Sequence, residues 1–282
     1  MSGSSADPAD RADPADHRVP AGGHLPPAGD HLTPAGPHTA AMWDHTADIR
    51  ARIAELPFLT GLADGSLDPE AFAFYIAQDT HYISAYQRAM LQLASRAPSM
   101  EDMRFWAKSA VGAIAEEKAM HEALTSDERI GRFEYAGMAK AVTTHAYGGF
   151  LISQAVTAPY AAAAAAQLPC YWIFADAGRR MHELMTAAPA RTAGGAGAAP
   201  PADAEPSADA AAGGEHPFRT WVNAYADPVF QTLTGRAIRI VERACENASK
   251  AEREQAVESF RQATRLEELF WRAPMAKDRP LV

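Results

Sequence analysis

The sequence predicts an all-α bundle. Apolar residues recur at three- and four-residue steps through most of the chain, proline-led helix starts punctuate it, and no segment sustains the alternation of a half-buried strand. With 282 residues, 48% of them hydrophobic, the chain can build one sizeable core and does not require two.

Residues 1–41 are rich in Ala, Asp, Pro and Gly and have no large apolar residues at a helical period, so they are expected to form a disordered tail. His17, His24, His31 and His38 recur there every seven residues, and His45 continues the series. The intervening prolines exclude a heptad helix, so repeat drift explains the series better than metal binding. The helical domain is expected over residues 42–276. It opens with a short helix before Leu56. Asp68-Pro69-Glu70 then supplies an N-cap, a proline at the first position and an acid in the first turn. That helix carries Phe72, Tyr75, Ile76, Tyr82, Ile83, Tyr86, Met90 and Leu93 along one stripe and should stop near Pro98. Further helices are expected from Met100 to Thr125, Tyr135 to Thr157, Pro169 to Met185, Asp227 to Asn247 and Ala251 to Arg272. Residues 187–215 contain Ala-Gly-Gly-Ala-Gly and Pro200-Pro201 with no apolar period and read as an inserted loop. Residues 277–282 form a C-terminal tail.

The formal charge of −9, with no block of Lys or Arg, argues against a nucleic-acid surface, where cations should cluster. Small molecules are the expected partners. Leu151–Ala175 is the least polar long stretch, but it is mostly alanine and is broken by Pro159 and Pro169, so no membrane span is expected. No basic segment followed by an apolar core resembles a secretory signal. Two cysteines make no disulfide framework, and a cytoplasmic location is the simpler expectation.

Asp79 interrupts the apolar stripe between Tyr75/Ile76 and Tyr82/Ile83. A carboxylate there must be paired or hydrogen-bonded, either to a backbone amide or a tyrosine of a neighbouring helix, or to a ligand in a pocket shared with Tyr82. The last helix repeats the device: Ala256, Phe260, Ala263 and Phe270 trace the buried stripe and Glu267 lies on it, while Glu268 is expected to point more outward. Cys170 follows a proline suited to a first helical position, where unpaired N–H groups and the helix dipole would favour thiolate. Cys245 has no such setting and reads as packing. A thiol nucleophile needs a proton carrier. His81, His121, His145, His182 and His216 form no triad signature, which leaves Glu267 as a competing general acid/base.

These residues resemble the TenA family, also called thiaminase II or aminopyrimidine aminohydrolase. The likeness runs from Trp43 to Ala276 outside the insert. It rests on Leu56-Pro57-Phe58 with Gly65, Gln78-Asp79 with Tyr82, Glu116-Glu117 with His121, Ala146-Tyr147, Leu168-Pro169-Cys170-Tyr171-Trp172-Ile173, Trp221 with Tyr225, and Glu267 with Phe270-Trp271. The resemblance implies a haem-oxygenase-like helical fold without haem. It implies that Cys170 is the nucleophile adding to a pyrimidine ring, that Glu267 is the acid/base for the leaving group, and that Asp79 holds the amino-substituted edge and orients the cysteine. It places Tyr147 and Tyr225 as site hydroxyls and Tyr82 and Phe270 as aromatic walls. The implied activity is conversion of aminomethylpyrimidine to hydroxymethylpyrimidine and ammonia, in salvage of degraded thiamine, or cleavage of thiamine to the same pyrimidine and thiazole. No metal or organic cofactor is implied, and a homotetramer is expected.

Two departures bear on substrate choice. The family usually has tyrosine four residues after the cysteine, where this chain has Phe174, and the insert and tail are additions. Two other readings stand beside the hydrolase. A metal-dependent oxidase of the same fold would use Glu117, His121 and His81, but the closing helix offers no histidine ligand. A noncatalytic pyrimidine-binding or regulatory protein would have no need of Cys170 as a nucleophile.

Overall fold

The computed structural model describes residues 30–125, 137–187 and 216–276, the side chains of Asp30, residues 113–125, Ala187 and Tyr225 excepted. The described residues form helices joined by turns, as the periodicity predicts. A 3-10 turn, Asp30–Leu32, leads into α1 (Pro37–Asp44), α2 (Ala47–Ala54), α3 (Pro57–Asp64), α4 (Pro69–Ser95) and α5 (Met100–Thr125). After residue 137 come α6 (Val142–Thr157), α7 (Tyr160–Gln167) and α8 (Pro169–Ala187), then α9 (Arg219–Ala226), α10 (Pro228–Glu246) and α11 (Lys250–Ala276).

Local chemistry sets most of the boundaries. The Asp68 side chain accepts from the Glu70 amide at 2.9 Å and Pro69 takes the first position of α4. Asp227 and Pro228 repeat the arrangement at α10, with a 2.7 Å bond from the Val229 amide. Gly65 ends α3 at φ 80°, a left-handed conformation that suits glycine.

Helices α4, α5 and α6 pack side by side, and α11 crosses α4, α6 and α7. At the centre lies α7. Its residues Ala161–Gln167 are all buried, and the methyl side chains let neighbouring helices approach closely. The alanine run is therefore a core helix between its two prolines, an element the apolar period did not disclose because alanine defines no face. Helices α3 and α9 were also not foreseen. Both are eight residues long, too short for the period to stand out.

Three boundaries differ from expectation. The helix expected from Tyr135 begins at Val142; residues 137–141 are non-helical, and 135–136 lie outside the described residues. The closing helix continues past Arg272 to Ala276. It carries Pro274 in its last turn, where the missing amide costs a single bond. Described residues before position 42 also pack on the bundle. Thr39 and Met42 are buried, His31 is buried beside Gly235, and a Cβ at Gly235 would lie 3.0 Å from the His31 carbonyl oxygen. Residues 30–41 thus pack on the bundle through backbone groups and a few anchors rather than an amphipathic stripe. His17 and His24, residues 1–29, the insert from 188 to 215 and residues 277–282 lie outside the described residues. No described helix is long and apolar enough to cross a membrane.

Candidate active site

Four helices converge on one buried cluster. From α4 come Asp79, Tyr82 and Tyr86, one turn apart and on one face. From α6 comes Tyr147, from the start of α8 comes Cys170, and from α11 come Glu267 and Phe270. Tyr82 is the centre of an aromatic wall: its ring centroid lies 4.8 Å from Tyr147, 5.3 Å from Phe270 and 5.7 Å from Tyr86. Tyr75 extends the wall, 5.7 Å from both Phe270 and Trp221.

Glu267 has no solvent exposure, and the Tyr147 hydroxyl donates to its Oε1 at 2.7 Å while Oε2 has no hydrogen-bond partner. Burial pushes its carboxyl up to about 8; the Tyr147 bond opposes the rise and the charge of Asp79 adds to it. Near neutral pH Glu267 is therefore largely protonated, the form a general acid requires. Asp79 is buried and close enough to influence both Glu267 and Cys170.

Cys170 occupies the second position of α8 and keeps partial exposure, yet the protein around it dominates its chemistry. Burial pushes the thiol well up, the charge of Glu267 adds to this, and the hydroxyls of Tyr82 and Tyr86 pull the other way. The expected thiolate at a helix start is thus not the resting form. Desolvation and the nearby charge of Asp79, joined by that of Glu267 once it ionises, outweigh the helix terminus. The Tyr82 hydroxyl is buried beside the thiol and Tyr147 without a well-formed hydrogen bond of its own. Tyr86, which donates to the Gln167 carbonyl at 3.1 Å, is a neighbour of the thiol that sequence reasoning placed only in the apolar stripe. Its position one turn beyond Tyr82 was the available signal.

Glu268 corrects a second expectation. It is buried rather than outward, gripped by Arg52 through bonds of 3.0 and 3.1 Å and by Arg272 at 2.8 Å. Phe174, one turn after Cys170, packs its ring 4.6 Å from Trp271. The Tyr225 side chain lies outside the described residues, as do those of Glu117 and His121. His81, the remaining member of that carboxylate and imidazole set, donates from Nε2 to the Met138 carbonyl at 2.7 Å. Among the described residues, no three His, Cys, Asp or Glu side chains are grouped to hold a metal. Cys245 is fully buried, as packing requires.

Gln78, beside Asp79, ties α4 to the start of α6. Its Oε1 accepts from the Ala141 amide and the Thr144 hydroxyl, both at 2.8 Å, and its amide donates to Ala139 O at 3.0 Å. Two surface clefts lie elsewhere, one beside Arg50 and Arg180 and the other beside Leu56 and Trp271. Neither of these two is lined by Cys170, Asp79 or Glu267.

Fold and site together define a class: an all-helical bundle in which a thiol at a helix start faces two buried carboxylates across an aromatic wall. Residues 43–278 match the TENA/THI-4/PQQC family, and the chain belongs to it. A thiamine biosynthesis multifunctional protein ThiED from Corynebacterium glutamicum is 32% identical over 224 residues, 79% of this chain, and this chain spans 25% of that protein's length. An aminopyrimidine aminohydrolase from Halalkalibacterium halodurans is 25% identical over 76% of this chain and 85% of its own length. Among solved structures, a TenA homologue from P. horikoshii OT3 superimposes with a TM-score of 0.65 at 19% identity, covering 85% of this chain and 98% of its own. A TenA family transcription regulator from Silicibacter gives 0.69 at 18% identity, covering 86% of this chain and 98% of its own. These likenesses show the TenA fold, a haem-oxygenase-like bundle.

Proposed function

We propose that this chain is an aminopyrimidine aminohydrolase of thiamine metabolism that converts aminomethylpyrimidine to hydroxymethylpyrimidine and ammonia, and that also accepts thiamine as a substrate. The observation that carries the reading is the convergence of Cys170, Asp79 and the Tyr147-bonded Glu267 on one aromatic wall. The names of the Halalkalibacterium relative and of a Bacillus subtilis relative, also an aminopyrimidine aminohydrolase, support it.

An electron-poor pyrimidine suits a soft sulfur nucleophile, and its flat face suits a wall of Tyr82 and Phe270. Asp79 accepts from the exocyclic amine of the ring and sets the ring against Cys170. As the sulfur bonds to a ring carbon, the thiol proton passes to a ring nitrogen and the ring takes up the electron pair. Glu267 then delivers its proton to the departing amine as the carbon–nitrogen bond breaks and ammonia leaves. The resulting carboxylate takes a proton from water, the hydroxide adds to the exposed carbon, and the carbon–sulfur bond breaks. The ring proton returns to Cys170 and one water has been consumed. Glu267 held near 8 is matched to both halves of this cycle, as acid in the first and base in the second.

Tyr147 and Tyr225 are assigned as site hydroxyls, and Phe174 as a wall residue lacking the hydroxyl usual in the family. The chain is assigned no cofactor, and a homotetramer is the expected assembly. Purified protein without added metal should form hydroxymethylpyrimidine from aminomethylpyrimidine, followed by mass-resolved chromatography, and Cys170→Ala should form none. Folded protein that turns over neither aminomethylpyrimidine nor thiamine would defeat the proposal.

A further inference from the structure

Residues 30–42 precede the stretch matched by the family, yet they pack directly behind the nucleophile's helix. The first turn of α8 has few backbone hydrogen bonds to hold it. Pro169 has no amide, and the amides of Tyr171 and Trp172 both turn back to the single carbonyl of Leu168, at 3.0 and 2.9 Å. Tyr171 packs this turn against Tyr86, Phe105 and Trp106, and Trp172 anchors it from the side opposite Cys170. Its indole N–H donates to the Leu32 carbonyl at 2.8 Å, and its ring stacks on Trp43 at 4.3 Å and lies 5.9 Å from Phe260. Arg50 closes the stack, its guanidinium 3.6 Å over the Trp43 ring.

The segment that carries Leu32 and Trp43 is pinned in turn by α10. Buried Glu242 accepts from the Thr39 amide and hydroxyl, both at 2.7 Å, and from the His38 amide at 3.2 Å, capping α1 from a distant helix. Gly36 permits this approach. Its φ of −178° is extended and open to any residue, but a Cβ there would lie 2.5 Å from Glu242 Oε1.

We propose that residues 30–44 form a strap, clamped by Glu242, that fixes the first turn of α8 through the Trp172 to Leu32 bond, and that Trp172 is therefore a positioning residue for the Cys170 sulfur. The proposal rests on the reading of Cys170 as nucleophile. It assigns a role to a segment that lies mostly ahead of the family match, which begins at Trp43, and to a side chain that does not face the tyrosine wall.

Two substitutions in the full chain test it. Trp172→Phe keeps a ring but removes the donor, and Gly36→Ala drives a methyl into Glu242 without touching α8. The first readout is the pH dependence of Cys170 alkylation by iodoacetamide, followed by peptide mass spectrometry so that fully buried Cys245 is scored separately. Loosening the turn admits water to the thiol, so both variants should alkylate at least about threefold faster than wild type at pH 8, with the profile displaced to lower pH. The second readout is turnover: kcat should fall about tenfold with KM within about threefold, because a misplaced sulfur costs the reacting geometry more than binding. If both variants fold and melt cooperatively yet keep the wild-type alkylation profile, the strap has no hold on Cys170 and the proposal fails. If Trp172→Phe does not fold, Gly36→Ala decides alone. Alkylation needs no substrate, so it tests the strap even if wild type turns over neither pyrimidine, the result that would sink the hydrolase reading instead.

Discussion

Glu267 and Glu268 are adjacent on α11, both buried, and opposite in chemistry. Glu268 faces α2 and sits in the fork of Arg52 with Arg272 beside it, so its charge is matched by two cations. Glu267 faces the tyrosine cluster, where a single hydroxyl bonds one oxygen and, among the described residues, no cation pairs with it. One residue's rotation, about 100° round the helix, separates a carboxylate that ties two helices from one whose burial pushes it up to about 8. Burial alone does not distinguish the two carboxylates; their described partners do.

Glu267→Gln should break the comparison most severely. Removing the proton carrier should lower turnover of aminomethylpyrimidine by about a thousandfold in steady-state kinetics, whereas Glu268→Gln should stay within a few-fold of wild type. Equal losses in the two variants would mean that the face of α11 does not divide the roles.

Stability should show the reverse pattern. Glu268→Ala leaves Arg52 and Arg272 without their carboxylate and should cost about 1–2 kcal/mol by urea unfolding, less than for a fully buried pair because both guanidiniums are partly exposed. Glu267→Gln should stabilise the protein by about 1 kcal/mol or more at pH 8. The sign follows from the raised carboxyl: between its ordinary 4.5 and about 8 the folded form holds a proton that the unfolded form has lost. Wild-type stability therefore declines as pH rises through that window. The glutamine variant should lack this decline in unfolding curves from pH 5 to 8.5.

The smallest effect sharpens the picture of Glu267 itself. Turnover should fall on the alkaline side as Glu267 loses its proton near 8. Tyr147→Phe removes the one bond holding that carboxyl down, so the alkaline limb of kcat should move to higher pH, with a loss in kcat of about tenfold. An unmoved limb would assign it to another group.

Helix periodicity, the prolines before α4, α8 and α10, and the misplaced polarity of Asp79 and Glu267 are local properties. The sequence by itself therefore determined the all-helical class, the long helices and the two carboxylates turned inward, because a 3.6-residue repeat declares which side chains share a face. It could not determine what those faces meet. That Tyr147 reaches Glu267 across 120 positions, that Arg52 reaches Glu268 across 216, and that Tyr86 lies beside the thiol depend on how helices cross. The all-alanine α7 and the strap before residue 42 were invisible for a related reason: one has no polar face to define a period, and the other is held by backbone carbonyls and amides that every sequence possesses. The state of Cys170 was decided the same way. Its sequence position placed it at a helix start, but only the packed site showed that desolvation, with the charge of Asp79 beside it, keeps the thiol well above its ordinary range.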